Sequence, residues 1–218
     1  MKKVLLIAFS VSLMALGCKS IKDPVSTGAG WRTASLFDGK TFKGWVGDTN
    51  KTFRIEDGAI VGGTMKAKIP RNEFLCTTRN YTNFVLRLKF KLLGGPSANG
   101  GVQVRTKRIP NNNEVSGYQA DMGDPSWWGC LYDESRRNKV LAKSNMDEVN
   151  KVLKRDDWND YTIRCEGRRI VLAINGQQTV DYTETDPNVD DYGIIAVQIH
   201  AGPPSEAWYK EITLRELP

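Results

Sequence analysis

The sequence predicts an antiparallel β-sandwich carrying one short helix. Three observations predict it. Apolar and polar residues alternate from residue 52 onward, Gly, Pro and Asn interrupt that alternation at short intervals, and only one segment repeats at helical spacing.

Taken in order, Thr52-Phe53-Arg54-Ile55 and Ala59-Ile60-Val61 flank Glu56-Asp57-Gly58, a hairpin signal. Phe84, Leu86, Leu88, Phe90 and Leu92 alternate with Val85, Arg87, Lys89 and Lys91, a long half-buried strand that ends in the turn residues Gly94-Gly95-Pro96-Ser97. Val102 and Val104 alternate with Gln103 and Arg105, and Tyr161, Ile163 and Cys165 with Thr162, Arg164 and Glu166. Ile170, Leu172 and Ile174 lead into Asn175-Gly176 and a returning run over 177–182, a second hairpin. Segments 193–200 and 208–214 supply the last strands. Met146, Val149, Val152 and Leu153 fall at helical spacing, with Asn145 and Glu148 placed as a capping box.

Length and composition bound the function. The chain has 218 residues, 40% apolar and 26% charged, which suits one domain and excludes a disordered polyelectrolyte or a fibre. One histidine excludes sites built on two or three imidazoles. The formal charge is +6 with no basic run of five, so nucleic acid is not an expected partner.

Met1-Lys2-Lys3 followed by the apolar stretch Val4 to Leu16 and Gly17-Cys18 has the anatomy of an export signal and is too short to span a bilayer. Ala15-Leu16-Gly17-Cys18 resembles a bacterial lipobox. Residues 1–17 are therefore expected to be removed, Cys18 to be lipidated, 18–30 to be a flexible tether and 31–218 to form the domain. A plain signal peptide with an incidental Cys18 is the alternative. The expected location is the bacterial envelope, in the outer membrane on its periplasmic or surface side, with membrane attachment through the lipid alone. Cys76 and Cys165 lie in strand-like runs and read as small buried hydrophobes, while Cys130 is unassigned.

Three strands carry unusual polar residues on the face away from their apolar neighbours: Gln103 with Arg105, Gln119 with Asp121, and Gln198 with His200. If those strands are neighbours, amides, a guanidinium, a carboxylate and the sole imidazole converge. Such a patch suits a polyhydroxylated ligand. Trp127, Trp128 and Tyr132 follow in a Gly/Pro loop and add rings on which a sugar face can stack, and Glu134 is placed to rim the same pocket. A solvated sheet face and a structural histidine are the plainer alternatives. Trp31, Trp45, Trp158 and Trp208 read as core residues or strand-end anchors, and Arg136 and Arg137 as part of a solvated turn. Asp156-Asp157 lack the spacing of a calcium loop.

Leu36-Phe37-Asp38-Gly39-Lys40 with Gly44-Trp45, Tyr81-Thr82-Asn83-Phe84, Asn99-Gly100-Gly101-Val102-Gln103-Val104-Arg105 and Gly117-Tyr118-Gln119-Ala120-Asp121 resemble, in order, segments of the 3-keto-disaccharide hydrolase family. So do Phe53 to Val61, Trp158-Asn159-Asp160-Tyr161, Ile174-Asn175-Gly176 and the run from Gly193 to His200. The resemblance spans about residues 34–217. It implies an all-β, concanavalin-like jelly-roll sandwich whose concave face binds carbohydrate, and cleavage of glycosides oxidised to the ketone at C3. It further implies a base and an acid, for which Asp121 and His200 serve in either order. Arg105 is then the oxyanion stabiliser, and Gln103, Gln119 and Gln198 read hydroxyls. A divalent metal held by carboxylate and His is an open alternative for polarising the C3 oxygen. The family's segment reads G-Y-E-x-Q, so Gln119 and Asp121 exchange the acid and the amide. A binding-only carbohydrate lipoprotein on the same fold, or a structural envelope lipoprotein, are the competing readings.

Overall fold

A computed structural model describes residues 33–218. The export signal, Cys18, the tether and Trp31 lie outside the described residues. The first sheet contains β1 (Thr33–Ser35), β3 (Phe53–Glu56), β4 (Ala59–Thr64), β6 (Phe84–Leu93), β11 (Asn159–Glu166), β12 (Arg169–Ile174), β13 (Gln177–Thr183) and β15 (Ser205–Glu216). The second contains β2 (Trp45–Val46), β5 (Glu73–Thr77), β7 (Asn99–Arg108), β8 (Val115–Gly123), β9 (Leu131–Glu134), β10 (Lys139–Ala142) and β14 (Ile194–Ile199). The strand order is β13-β12-β11-β6-β15-β4-β3 in the first sheet, with β1 on β15, and β10-β9-β8-β7-β14-β5-β2 in the second. Every pairing between these strands is antiparallel. The lone α-helix among the described residues, α1 (Met146–Asn150), is five residues long.

The alternation in β6 shows why the sheets pack. Leu86, Leu88, Phe90 and Leu92 are buried against the second sheet, whereas Arg87, Lys89 and Lys91 leave on the other side. Each such fully buried side chain is worth about 1.5–3 kcal/mol of transfer free energy. Val102, Val104, Tyr118, Ala120, Val197 and Ile199 answer from the second sheet. Asp57-Gly58 and Asn175-Gly176 sit at positive φ and close the two hairpins. At α1 the Asn145 side chain accepts from the Asp147 N–H as a cap. Glu148 pairs forward with Lys151 instead of reaching back, so the box is half formed. Cys76, Cys130 and Cys165 are all free and buried, and burial pushes the Cys76 and Cys165 thiols up to about 11 and 12.

Two tyrosines tie the sheets together beneath the polar face of the second. Tyr209 donates to the Gln198 carbonyl at 2.6 Å, and Tyr161 to the Asp121 carbonyl at 3.2 Å. Both site strands are thus anchored from the core side.

Candidate active site

β14, β7, β8 and β9 are consecutive neighbours, and their register sets two adjacent rows of side chains on the outward face. Gln198 lies beside Gly101, Gly101 beside Asp121, Gln103 beside Gln119, and Gln119 beside Tyr132. Gly101 is needed for space: a Cβ there would lie 2.7 Å from Cγ of Gln119, whose side chain occupies that gap. The result is a directed chain of hydrogen bonds. Thr106 Oγ1 donates to Gln103 Oε1 at 2.7 Å, Gln103 Nε2 to Gln119 Oε1 at 2.5 Å, and Gln119 Nε2 to Asp121 Oδ1 at 2.6 Å. Every donor in the relay points toward Asp121, and such chains polarise one another.

Asp121 is 2% exposed, and its second oxygen, Oδ2, is buried without a partner. Burial pushes its carboxyl up to about 8, against the lowering effect of the Gln119 hydrogen bond and with help from the charge of Glu134. Because Oδ1 accepts from Gln119, the retained proton belongs on Oδ2. Glu134, on β9, is pushed up to about 7 by burial first and by the charge of Glu114 second. Both carboxyls are thus raised toward neutrality, and the charge of Glu134 contributes to the rise at Asp121.

Asp121 and Glu134 share a cavity of about 330 Å³ with Gln119, Tyr132, Trp127 and His200. Its remaining wall comes from Asn99 with the turn around Pro96 and Ser97, from Asp124, and from Ala201. Trp127 meets Tyr132 edge to face at 6.1 Å. His200 is exposed at the rim, and its Nδ1 lies 2.6 Å from the Ala201 carbonyl, which leaves Nε2 for solvent or ligand.

The structure brings Asp121, Gln119, Glu134, Trp127, Tyr132 and His200 to this cavity. Gln103 stands behind them as the relay. Gln198, in the row of Asp121, is fully buried with both amide atoms unpartnered, and it does not line the cavity. Three sequence expectations need correction. Arg105 does not join the site, because an extra residue bulges β7 between Val104 and Lys107 and places Arg105 at φ +49°. Its guanidinium instead donates to the carbonyls of Thr82 (2.7 Å) and Gly167 (2.6 Å). Trp128 is 3% exposed, stacks on Phe90 in the core and donates its indole N–H to Asp124, so only Trp127 of the adjacent pair reaches this cavity. Arg136 and Arg137 are likewise not in a solvated turn. They pair with the fully buried Asp133, and Arg137 also holds Glu184 at 2.5 Å.

Pro96, Ser97 and Asp124 were not predicted to share the site. The available signals were the turn residues Gly94-Gly95-Pro96 and Asp124-Pro125 next to strand ends of the polar face. Among the described residues no three His, Cys, Asp or Glu side chains are gathered to hold one metal ion.

The description "3-keto-alpha-glucoside-1,2-lyase-like domain" fits residues 30–215. The chain belongs to this family. No curated protein matches it. Among solved structures it resembles a provisionally named glycosyl hydrolase from Parabacteroides distasonis (TM-score 0.65, 19% identity, covering 85% of this chain and 94% of that one). It also resembles the carbohydrate-binding module CBM66 from Bacillus subtilis (0.59, 12%, 79% and 96%) and a β-glucanase from Bacillus licheniformis (0.57, 10%, 88% and 100%). At these identities the likeness is one of fold: the family member is a jelly-roll sandwich of the kind carbohydrate-active proteins use.

Proposed function

We propose that this family member cleaves glycosides bearing a ketone at C3, by elimination across C1–C2. The ketone acidifies the C2 proton, so a carboxylate of modest basicity suffices. Glu134, partly ionised near neutrality, takes that proton, and the C–H electron pair passes into an enolate on the C3 oxygen. The enolate collapses to re-form the ketone, a C1=C2 double bond forms, and the C1–O bond breaks. The departing oxygen takes the proton from Asp121 Oδ2. The products are an enone and an alcohol, and addition of water across the new double bond completes a net hydrolysis. With Arg105 engaged elsewhere, wall groups able to donate to the C3 oxygen include Asn99, Ser97, Tyr132 and the Trp127 indole N–H.

The observation that carries this reading is the buried, unpartnered Oδ2 of Asp121 in a sugar-sized cavity that a second carboxyl, Glu134, also lines; burial favours a retained proton on that oxygen. Purified protein incubated with methyl 3-keto-α-glucoside should release methanol, whereas methyl α-glucoside should be untouched. No release from the keto substrate would overturn the proposal. The Trp127–Tyr132 pair favours a second reading, carbohydrate binding without turnover. Under it, unoxidised glycans bind, and Asp121→Ala and His200→Ala change affinity only. We further propose export and lipid anchoring through Cys18, for which loss of lipid labelling in Cys18→Ala is the test.

A further inference from the structure

A second cavity, of about 410 Å³, adjoins the first across a wall formed by Pro96 and Asp124, which line both. We infer that this second cavity receives the departing group of the glycoside and is shaped for one with an apolar ring face. The inference rests on the reading that the first cavity holds the keto sugar.

Of the second cavity's polar groups, Asp124, Arg155 and the Trp128 indole N–H are already spent on one another, and Asp156 is the remaining one. Arg155 makes a forked contact with Asp124, with Nη2 at 2.8 Å from Oδ1 and Nε at 3.1 Å from Oδ2. Trp128 Nε1 donates to the same Oδ1 at 3.0 Å. The Arg155 hydrogen bond, outweighing burial, holds the Asp124 carboxyl below its ordinary range, so the pair stays charged and closed. The rest of the wall is mostly carbon, from Leu92, Pro96, Pro125 and the one edge of Trp128 that borders the cavity, with Gly95 and Asp156 at its margin. A hydroxyl-rich group entering here would lose water and gain few partners, whereas a ring face would gain contact with stiff apolar walls and the plane of the guanidinium. This also gives Trp128 a place at the ligand, on the opposite side of Asp124 from the one the sequence suggested.

The test compares phenyl and methyl 3-keto-α-glucosides in Arg155→Ala and Arg155→Trp. Both variants free Asp124, but only the second fills the cavity at an exposed position. Expressing each result as the phenyl-over-methyl ratio of kcat/KM cancels the intrinsic difference between the two leaving groups. That ratio should fall about tenfold further in Arg155→Trp than in Arg155→Ala; equal ratios would overturn the inference. If the wild type cleaves neither compound, the proposed activity fails and the subsite is judged by binding alone. The Trp128 indole N–H resonance, assigned by its loss in Trp128→Phe, should then move on addition of phenyl α-glucoside and not of methyl α-glucoside. An unmoved resonance would dismiss the subsite.

Discussion

Asp121→Asn separates the chemistry of the carboxyl from its place in the fold. The carboxyl binds its proton far more tightly in the native chain, at about 8, than at its ordinary value of 3.8, and burial is the main cause. Between those values the unfolded chain has released a proton that the native state retains, so native stability falls as pH rises and levels off above about 8. At roughly 1.4 kcal/mol per unit, the full span has a ceiling of about 6 kcal/mol. Asparagine keeps the Oδ1 acceptor for Gln119 and cannot ionise. Its variant should therefore escape this loss while losing turnover. Denaturant unfolding of both proteins from pH 4 to 9 measures the gap directly. The variant should gain on the wild type steadily between pH 4 and 8, by several kcal/mol in all, equivalent to more than about 10 °C in Tm for a chain of this size. A gap that does not change with pH would show that Asp121 ionises normally, and with it the case for a retained proton at Oδ2 would fall.

Glu134→Gln should lower kcat/KM on a 3-keto-glucoside by about 10²–10⁴, the usual contribution of a positioned base. The acid limb near pH 7 should vanish from whatever activity remains, as read from a pH–rate profile. Arg137→Met should cost about 3 kcal/mol in unfolding experiments, because Asp133 and Glu184 are buried and would lose their shared cation. Burial alone would raise the Glu184 carboxyl. Hydrogen bonds from Arg137, Tyr118 and Tyr182 reverse this and hold it well below its ordinary range. That contribution is present above the ordinary carboxyl range and is lost as pH falls, so the gap between wild type and Arg137→Met should narrow in acid.

Period-two alternation carried most of the fold: β11 buries one residue in two, and β6 does so from Leu86 onward. The same rule placed Gln119 and Asp121 on one outward face. It failed at Arg105 for a local reason: one extra residue in β7 resets the alternation, and nothing in Gln103-Val104-Arg105-Thr106 announces a bulge. The adjacent Trp127 and Trp128 illustrate a second limit. Neighbouring rings in a tight loop leave in different directions, and composition does not say which one turns inward. The cavity wall from the Pro96 turn and Asp124 depends on how two loops from different strand ends meet, which is a tertiary fact. The elevated carboxyls are of the same kind, because burial decides them and burial belongs to the assembled sandwich.

The exchange of acid and amide relative to the family's G-Y-E-x-Q segment is a displacement of about 7 Å along β8, two residues on the same face. The relay suggests why the exchange is tolerable. Gln103 Nε2 already donates to the side chain at position 119, so a carboxylate there would keep that donor, and an amide at 121 would donate to it from the other side. The double variant Gln119→Glu/Asp121→Gln should therefore retain turnover, whereas Asp121→Gln alone has no acid in the row and should lose at least about 100-fold. Gln119→Glu alone sets two carboxyls in contact, where they share one proton, and should also be impaired. The double-mutant cycle should show a coupling of about 2 kcal/mol or more, within the range seen for residues in one hydrogen-bonded network. Two donors on the relocated carboxylate favour its charged form, so the alkaline limb of the pH–rate profile should move downward. A double variant as inactive as the worse single one would mean that the acid must stand at residue 121 itself, with its proton on the oxygen that Gln119 leaves free.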